Sequence, residues 1–443
     1  MSQPVLPPGT ALPAARKTRE WRQLALLSGL LSMDSSESAV VSTLFPALRS
    51  ALGLPLSALG ILVAISKIIW MIFGPIWVYV AQRIGRKKVL VMFCGLWGLW
   101  SCAAGLSQNF AQLLALYAIA AIGYAAGGPL VNGILADLFD ESRRGRAAGW
   151  LYGGTALIGA VLGPLFGQLS RIPDGWRYGF FTAGAITVLF GLIVWRFFED
   201  PAIGAAESKA AAPPQAMKRS DVRELLAGRT LRLIIVQRLT SSQLALTSFG
   251  VVYLVDVRHF STATASIVLP FALLTYVLGT IIGGFVSDRA QHWFPRAGRL
   301  GVWQASVLGW GLAAAAATQI GWASIWIYAA IFALLGLLQG FVPGSNRPIL
   351  MAVTKPELRS AAFSLMIGAE SLGWALSTLL IGFLGDRIGL QTTFLWLIVV
   401  LNIANGIFMA TMYRPYLRES GALRATIGKP APAEASSRGE ADR

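Results

Sequence analysis

Apolar residues in this chain come in blocks of roughly 20 or more, divided by short polar and basic connections, and period-2 alternation is absent. A helix of about 20 residues crosses the ~30 Å hydrocarbon layer and satisfies its own backbone groups there, whereas a membrane barrel would need alternating strands. The windows predict spans at 22–47, 56–81, 89–107, 111–136, 147–170, 177–198, 230–255, 263–287, 299–318, 322–350, 360–384 and 391–414. The expected fold is therefore an all-α membrane protein with 12 transmembrane helices. Residues 1–21 read as an arm before the first span. Pro4 to Ala15 is Pro- and Ala-rich, and Arg16, Lys17, Arg19 and Arg22 follow, a cytoplasmic pattern and not a cleavable signal peptide. Two six-helix bundles, 22–198 and 230–414, flank a linker at 199–229 rich in Ala, Pro, Lys, Arg and Glu, with a short amphipathic helix expected at Ser220–Ala227. The tail 415–443 is polar and expected to be disordered.

Composition agrees with lipid as the main solvent. Of 443 residues, 55% are hydrophobic and 13% charged, about half the ~25% charged share of a water-soluble domain. Mean hydropathy is +0.61. A net charge of +16 would point to nucleic acid in a soluble protein, but here the basic residues sit in the connections, where topology accounts for them and excludes a nucleic-acid partner. Connections 2–3, 4–5, 8–9 and 10–11 carry Arg83, Arg86, Lys87, Lys88, Arg143, Arg144, Arg146, Arg289, Arg296, Arg299, Lys355 and Arg359, against Arg49, Arg171, Arg177, Arg258 and Arg387 on the opposite side. Twelve against five places both termini and the linker in the cytoplasm. Cys94 and Cys102 share one apolar block, which excludes a disulfide framework. The two histidines, His259 and His292, lie in connections. No metal cluster, catalytic histidine arrangement or phosphate loop is present, so no cofactor is expected and an enzyme is not.

The chain also repeats itself. Arg144, Ala147, Leu157, Ala160 and Gly167 match Arg359, Ala362, Leu372, Ala375 and Gly382 at a constant offset of 215 residues, aligning spans 4–5 with spans 10–11. Duplications of this kind put a substrate site near the bilayer midplane between the halves.

The connection Ala81-Gln82-Arg83-Ile84-Gly85-Arg86-Lys87-Lys88 resembles the loop 2–3 signature of the major facilitator superfamily, and Gly284-Phe285-Val286-Ser287-Asp288-Arg289 between spans 8 and 9 resembles its second copy. In that family the glycine lets two helices approach and the acid and base form a cytoplasmic latch. The first copy departs, with Val78 in place of the glycine and Gln82 in place of the acid; the second keeps Gly284, Asp288 and Arg289. Gly159, Gly163-Pro164 and Gly167 in span 5 are similar to the family's antiporter motif, which implies export, while small residues at spacing four also read as ordinary close packing. Gly175-Trp176-Arg177 with Phe180 looks like the family's turn before span 6. The resemblance covers nearly the whole chain and implies the major facilitator fold, two pseudo-symmetric six-helix bundles working by alternating access. Asp34 in span 1, Ala136-Asp137-Leu138-Phe139 and Pro356-Glu357-Leu358-Arg359 look like Spinster-type lipid transporters and also like organic-anion symporters. Both groups usually hold an arginine in span 4, the Spinster type with a glutamate seven residues later. Those positions here are Tyr117 and Tyr124, so the family's coupling pair is not implied.

Ionisable groups inside a span cost ~2.5–3.5 kcal/mol or more and are functional candidates by default. Asp34 and Glu37 share one face of span 1, and Lys67 in span 2 sits at a depth close to Glu37, which predicts a Glu37–Lys67 pair and leaves Asp34 freer to titrate. Neutralisation of both acids by Lys67 and by Ser32, Ser35 or Ser36 is the structural alternative. Asp34, Glu37 and Glu370 are the candidates for proton coupling. Arg238, followed by Thr240-Ser241-Ser242-Gln243, gives span 7 a polar stripe with a cation for an anionic group, or else a snorkelling arginine. Lys67, Tyr117, Tyr124, Arg238, Gln243 and Trp374 are candidates to line a substrate cavity, although aromatic residues in spans usually pack or anchor. Gating candidates are Gln82, Arg83, Gly85, Arg86, Gly284, Asp288 and Arg289, with Gly159, Gly163, Pro164 and Gly167.

These features predict a secondary active transporter for a small or amphiphilic solute, coupled to protons and leaning to efflux. Proton-coupled import of an organic anion and uncoupled facilitation are the alternatives. The expected setting is a monomer in a bacterial inner membrane.

Overall fold

A computed structural model describes residues 14–202, 219–355 and 358–427. Its helices are α1 (Ala14–Leu52), α2 (Leu56–Ile84), α3 (Arg86–Ala104), α4 (Phe110–Leu138), α5 (Glu141–Leu169) and α6 (Gly175–Phe197). They continue as α7 (Arg219–Ala227), α8 (Arg229–Leu239), α9 (Gln243–Asp256), α10 (Thr262–Trp293), α11 (Gly298–Gln319), α12 (Ile325–Val353), α13 (Arg359–Ile388) and α14 (Leu390–Ala425). Among the described residues, ten helices are long and apolar enough to cross a bilayer. The other two expected positions are held by α1, whose 39 residues include Asp34 and Glu37, and by the pair α8–α9. Large apolar side chains such as Leu99, Trp150, Leu165, Trp195 and Phe285 point outward and are exposed, as lipid allows and water does not.

Three elements bear on the sequence expectation. Span 7, read as one helix over 230–255, is broken at Thr240–Ser242. The tail 415–443, read as disordered, is helical as far as Ile427. Tyr416 is buried there, and Glu419 accepts hydrogen bonds from the Arg229 and Thr230 amides, so this segment is held by the start of α8. Residues 428–443 lie outside the described residues, as do residues 1–13 of the expected arm and most of the linker. The linker helix expected at Ser220–Ala227 is present as α7.

The chain divides into two compact units. The first holds residues 1–41 and 69–213. In it, Leu27, Leu90, Ile134, Leu151 and Val194 form a core with Trp77 and Phe139. Helices α3 and α6 meet backbone to backbone: a Cβ at Gly98 would lie 2.7 Å from the Gly184 carbonyl oxygen, and one at Gly191 would reach Gly95.

The second unit holds residues 42–68 and 214–443, so the end of α1 and the start of α2 group with α8–α14. Its core includes Leu300, Trp303, Ile349, Leu350, Met409 and Met412. Here α10 and α12 interlock through glycines at spacing four, Gly279 and Gly283 on one, Gly336, Gly340 and Gly344 on the other. A Cβ at Gly344 would lie 2.8 Å from the Gly284 amide nitrogen, whereas one at Gly284 itself meets nothing within 4 Å, so the residue that must stay small here is Gly344. In span 5 a Cβ at Gly163 likewise meets nothing within 4 Å.

Two substitutions separate these cases. Gly340→Val places a branched side chain on the Tyr276 carbonyl and the Gly279 backbone, and overpacking of that kind costs about 1–3 kcal/mol or more. A lowered thermal midpoint in detergent, with loss of the monodisperse fraction, is expected. Gly163→Ala should leave the midpoint unchanged or raise it, because alanine is the better helix former by roughly 0.5–1 kcal/mol. Equal loss in both variants would contradict these contacts.

Candidate functional site

In the first unit, the polar centre joins α1, α3 and α4. Glu37 is 3% exposed and accepts a hydrogen bond from Ser101 Oγ at 2.8 Å. Ser101 is in turn 2.9 Å from the Tyr124 hydroxyl. If Ser101 donates to the carboxylate, Tyr124 donates to Ser101, and the three form a chain along which a proton can be handed. Tyr117, two turns before Tyr124 on α4, is equally buried. The hydroxyls of Ser32 and Ser36 are spent on the α1 carbonyls of Ser28 and Ser32, which weakens the alternative in which they neutralise the acids. The Asp34 side chain lies outside the described residues. The expected Glu37–Lys67 pair joins residues of different units and stays a proposal. Ser101 is an addition of the structure, since a lone serine in an apolar span carries no signal until its neighbours are known.

In the second unit, Arg238 near the end of α8 forms an ion pair with Glu370 of α13. Arg238 is 5% exposed, and its Nε and Nη1 have no protein partner. The pair is possible because α13 lies flush on the helix break: a Cβ at Gly373 would sit 2.5 Å from the Leu239 carbonyl oxygen. The break itself is held by α14. Asn405 Nδ2 donates to the Gln237 carbonyl at 2.9 Å and to Thr240 Oγ1 at 2.7 Å, and its Oδ1 accepts from Gln237 Nε2 at 2.9 Å. Asn402 Nδ2 donates to Ser242 Oγ at 2.7 Å. Three consecutive hydroxyl residues compete with helical bonding, and α14 supplies the partners that make the break possible in lipid. Lys67 Nζ lies 4.1 Å from the centre of the Trp374 ring, and Trp374 Nε1 donates to Ser248 Oγ at 3.3 Å. Trp374 thus serves as a cation platform. Gln243 is 3% exposed at the first position of α9.

The connections carry the gating candidates. Gly85 has φ +96°, a conformation that glycine adopts without strain. Gln82 and Arg83 are exposed, and Arg83 bonds Tyr79. Arg86 pairs with Asp137 and, at 2.8 Å, with Asp200, tying the start of α3 to the ends of α4 and α6. These two acids stand where the Gln82 position offers none, and Asp200 is a further addition to the sequence reading. In the second copy Asp288 pairs with Arg299 at 2.7 Å, and Arg289 lies over the Trp293 ring. Arg177 Nη1 donates to the Gly105 and Ser107 carbonyls, closing the end of α3.

A further set of charged contacts lies at the other end of the second unit. The Asp386 carboxylate accepts from the Leu56 amide at 2.7 Å and the Ser57 amide at 2.9 Å, capping the positive start of α2. Arg49 pairs with Asp256 at 2.5 Å beside it. Gly382 touches Ser57, and Gly389 has φ +81°. Gly382, Asp386, Arg387, Ile388 and Gly389 stand at the positions of Val78, Gln82, Arg83, Ile84 and Gly85, at an offset of 304 residues. The glycine and acid missing from the loop 2–3 signature are both present there.

Long apolar helices, one broken span, a buried arginine paired with an acid of a neighbouring helix and capped connections define a polytopic α-helical membrane protein. The family model for the Major Facilitator Superfamily matches residues 26–303, and the chain belongs to that superfamily. The chain is 27% identical over 207 residues to a probable 4-methylmuconolactone transporter of Cupriavidus pinatubonensis, covering 46% of this chain and 47% of that one. It is 31% identical over 161 residues to the 4-hydroxybenzoate transporter PcaK of Pseudomonas aeruginosa, covering 34% and 36%. The aligned stretches therefore span half or less of these relatives. A solved bacterial homologue of the human lysosomal transporter Spinster shares the fold with a TM-score of 0.74 at 20% identity, covering 94% of this chain and 100% of that one.

The Asp386 cap has a measurable consequence. Asp386→Asn removes the charge from the α2 start, and a charge at a helix N-terminus is worth about 0.3–1 kcal/mol, up to ~2 when partly buried. With Cys94 and Cys102 replaced by serine, a Ser57→Cys reporter, buried at 7% exposure in the parent, should label faster with a membrane-impermeant maleimide in the Asp386→Asn background. Equal labelling rates would show that the cap does not hold this end.

Proposed function

We propose that the chain carries a small organic anion across the cell membrane by alternating access, drawing on the proton gradient. The observation that carries this reading is the buried Arg238, paired with a partly exposed Glu370 at the break in span 7. A charged pair among spanning helices is costly and is retained where transport needs it. Lys67 on Trp374 adds a second cation in the same unit. An arriving anion competes with Glu370 for one guanidinium. Asp34 and Glu37 serve the first half, Glu37 through Ser101 and Tyr124. PcaK, by its name a carrier of an aromatic carboxylate, supports the substrate class.

Alternating access then requires the Asp386 cap and the Arg49–Asp256 pair to break when the outer end opens. An organic anion is favoured over an amphiphile because Arg238 keeps two nitrogens without a protein partner, and with the anion import is favoured over the efflux that span 5 suggests. The protein acts as a monomer in a bacterial inner membrane on this reading.

Purified protein in liposomes, with an imposed pH difference and labelled 4-hydroxybenzoate, glucuronate and sulfoacetate, tests it. Uptake abolished by a protonophore is expected, with Asp34→Asn and Glu37→Gln each lowering pH-driven uptake by about tenfold or more. Counterflow without a gradient should survive in the Glu37→Gln variant. Uptake indifferent to the protonophore would identify an uncoupled uniporter instead.

A further inference from the structure

We infer that the break between α8 and α9 is the seat of the substrate's carboxylate, formed by Arg238, Gln243 and the uncapped amides that begin α9. This rests on the transport reading for calling the anion a substrate; the site itself rests on geometry.

The first ground is the start of α9. Helix N-termini leave amide donors without partners and carry the positive end of the helix dipole. Side chains of serine normally cap them. Here Ser242 stands at the cap position, yet its hydroxyl donates to the Leu397 carbonyl, and no side chain caps the helix. A 14-residue helix therefore opens in the middle of a span with its donors uncovered by a cap. Backbone donors at such ends bind anions.

The second ground is the pair of buried side chains on either side of the break. Gln243, 3% exposed, has no protein partner for Nε2. Arg238, 5% exposed, uses Nη2 for Glu370 and leaves Nε and Nη1 without protein partners. A buried donor left unmade costs about 1–3 kcal/mol, more for a charged group. All three nitrogens donate and none accepts. Five positions separate the two residues, and the chain between them is unwound, so one ligand group at the break can face both.

The opposite occupant is a sodium ion. It would find Gln237 Oε1 and Asn402 Oδ1, the two unpartnered amide oxygens nearby, but it would sit beside a guanidinium. Glu370 offsets the guanidinium's charge but occupies only Nη2; three unpartnered donor nitrogens and the uncapped α9 amides then outnumber two neutral oxygens, and the geometry favours the anion.

Asn405 and Asn402 become positioning residues on this account. They replace the hydrogen bonds that a continuous span 7 would make, and so keep both the arginine and the α9 amides turned to the same place.

Binding measured by calorimetry on the full chain in detergent tests the site without any need for transport. The probes are benzoate and glucuronate, with benzamide as the neutral counterpart of benzoate and sodium chloride alone as the control. Wild-type protein should bind at least one of the anions and should not bind benzamide. Gln243→Leu and Arg238→Gln should each weaken the anion by about tenfold or more, which is ~1.4 kcal/mol. Should Arg238→Gln misfold by stranding Glu370, the double variant Arg238→Gln, Glu370→Gln removes both charges and carries the same expectation. Asn405→Leu should weaken binding as well, while Asn405→Asp, which keeps an acceptor for Gln237, should retain part of it. No binding of either anion, equal affinity in the Gln243 variant, or heat from sodium alone would overturn the assignment. An anion that binds but is not carried into liposomes would instead remove the transport reading and leave the site standing.

Discussion

Hydrocarbon offers a peptide group no alternative partner, and an unpaired one costs several kcal/mol. A spanning helix can therefore be interrupted only where other side chains take over its hydrogen bonds. Span 7 meets that condition through Asn402 and Asn405 of α14. Their bonds to Gln237, Thr240 and Ser242 replace the helical ladder, and the break they permit is what turns Arg238 toward Glu370. The chemistry of the second unit is thus a consequence of backbone satisfaction before it is a matter of charge.

The same constraint governs the ends of the helices. Asp386 takes the first amides of α2, Glu419 those of α8, and Arg177 the carbonyls just past the end of α3. Each is a charged group doing what a loop would otherwise leave to water, and each ties a helix to an element distant in sequence. Between the ends, glycines set the spacing. Gly279 against Gly340 and Gly98 against Gly184 bring backbones so close that a methyl group does not fit. Lipid gives apolar side chains no reason to segregate, so association rests on this contact area and on interhelical hydrogen bonds. Gly163, with open space around it, shows that a small-residue motif in sequence does not by itself specify such a contact.

Span positions were legible because length and apolarity are local properties, and the superfamily was legible because its loop signatures are contiguous. Arg238, Glu370, Lys67 and Trp374 were also findable, since an ionisable or amphipathic residue deep in an apolar run stands out by its desolvation penalty. The break in span 7 was not. Its cause lies about 160 residues away in α14, and Thr240-Ser241-Ser242 alone is compatible with a helix. Ser101 was silent for the same reason, its meaning being set by Glu37 and Tyr124 on other helices. Asp386 was hidden differently. Its loop repeats the signature of residues 78–85, but the shared spacing runs between spans 2–3 and 11–12 and not between the two halves in register. The helical tail to Ile427 looked disordered because it holds few large apolar residues and runs on into a polar end, while the few that matter, Tyr416 and Glu419, act through contacts with other helices.

The placement of charge between the halves bears on coupling. In the groups this chain resembles, span 4 usually holds an arginine, followed in the Spinster type by a glutamate seven residues later; here Tyr117 and Tyr124 occupy those positions. A tyrosine can relay a proton but cannot neutralise an anion, so any electrostatic work must come from elsewhere in the chain. The second unit supplies an arginine and a glutamate that already meet, Arg238 and Glu370. The first unit retains an acid, Glu37, whose hydrogen-bond chain ends on one of those tyrosines. On the proposed reading the duties are therefore divided, with proton handling in the first half and anion recognition in the second. Proton and substrate then communicate through the conformational change and not through one shared pair. A carrier built this way can lose coupling by a substitution at Glu37 while still exchanging substrate, whereas loss of Arg238 removes both.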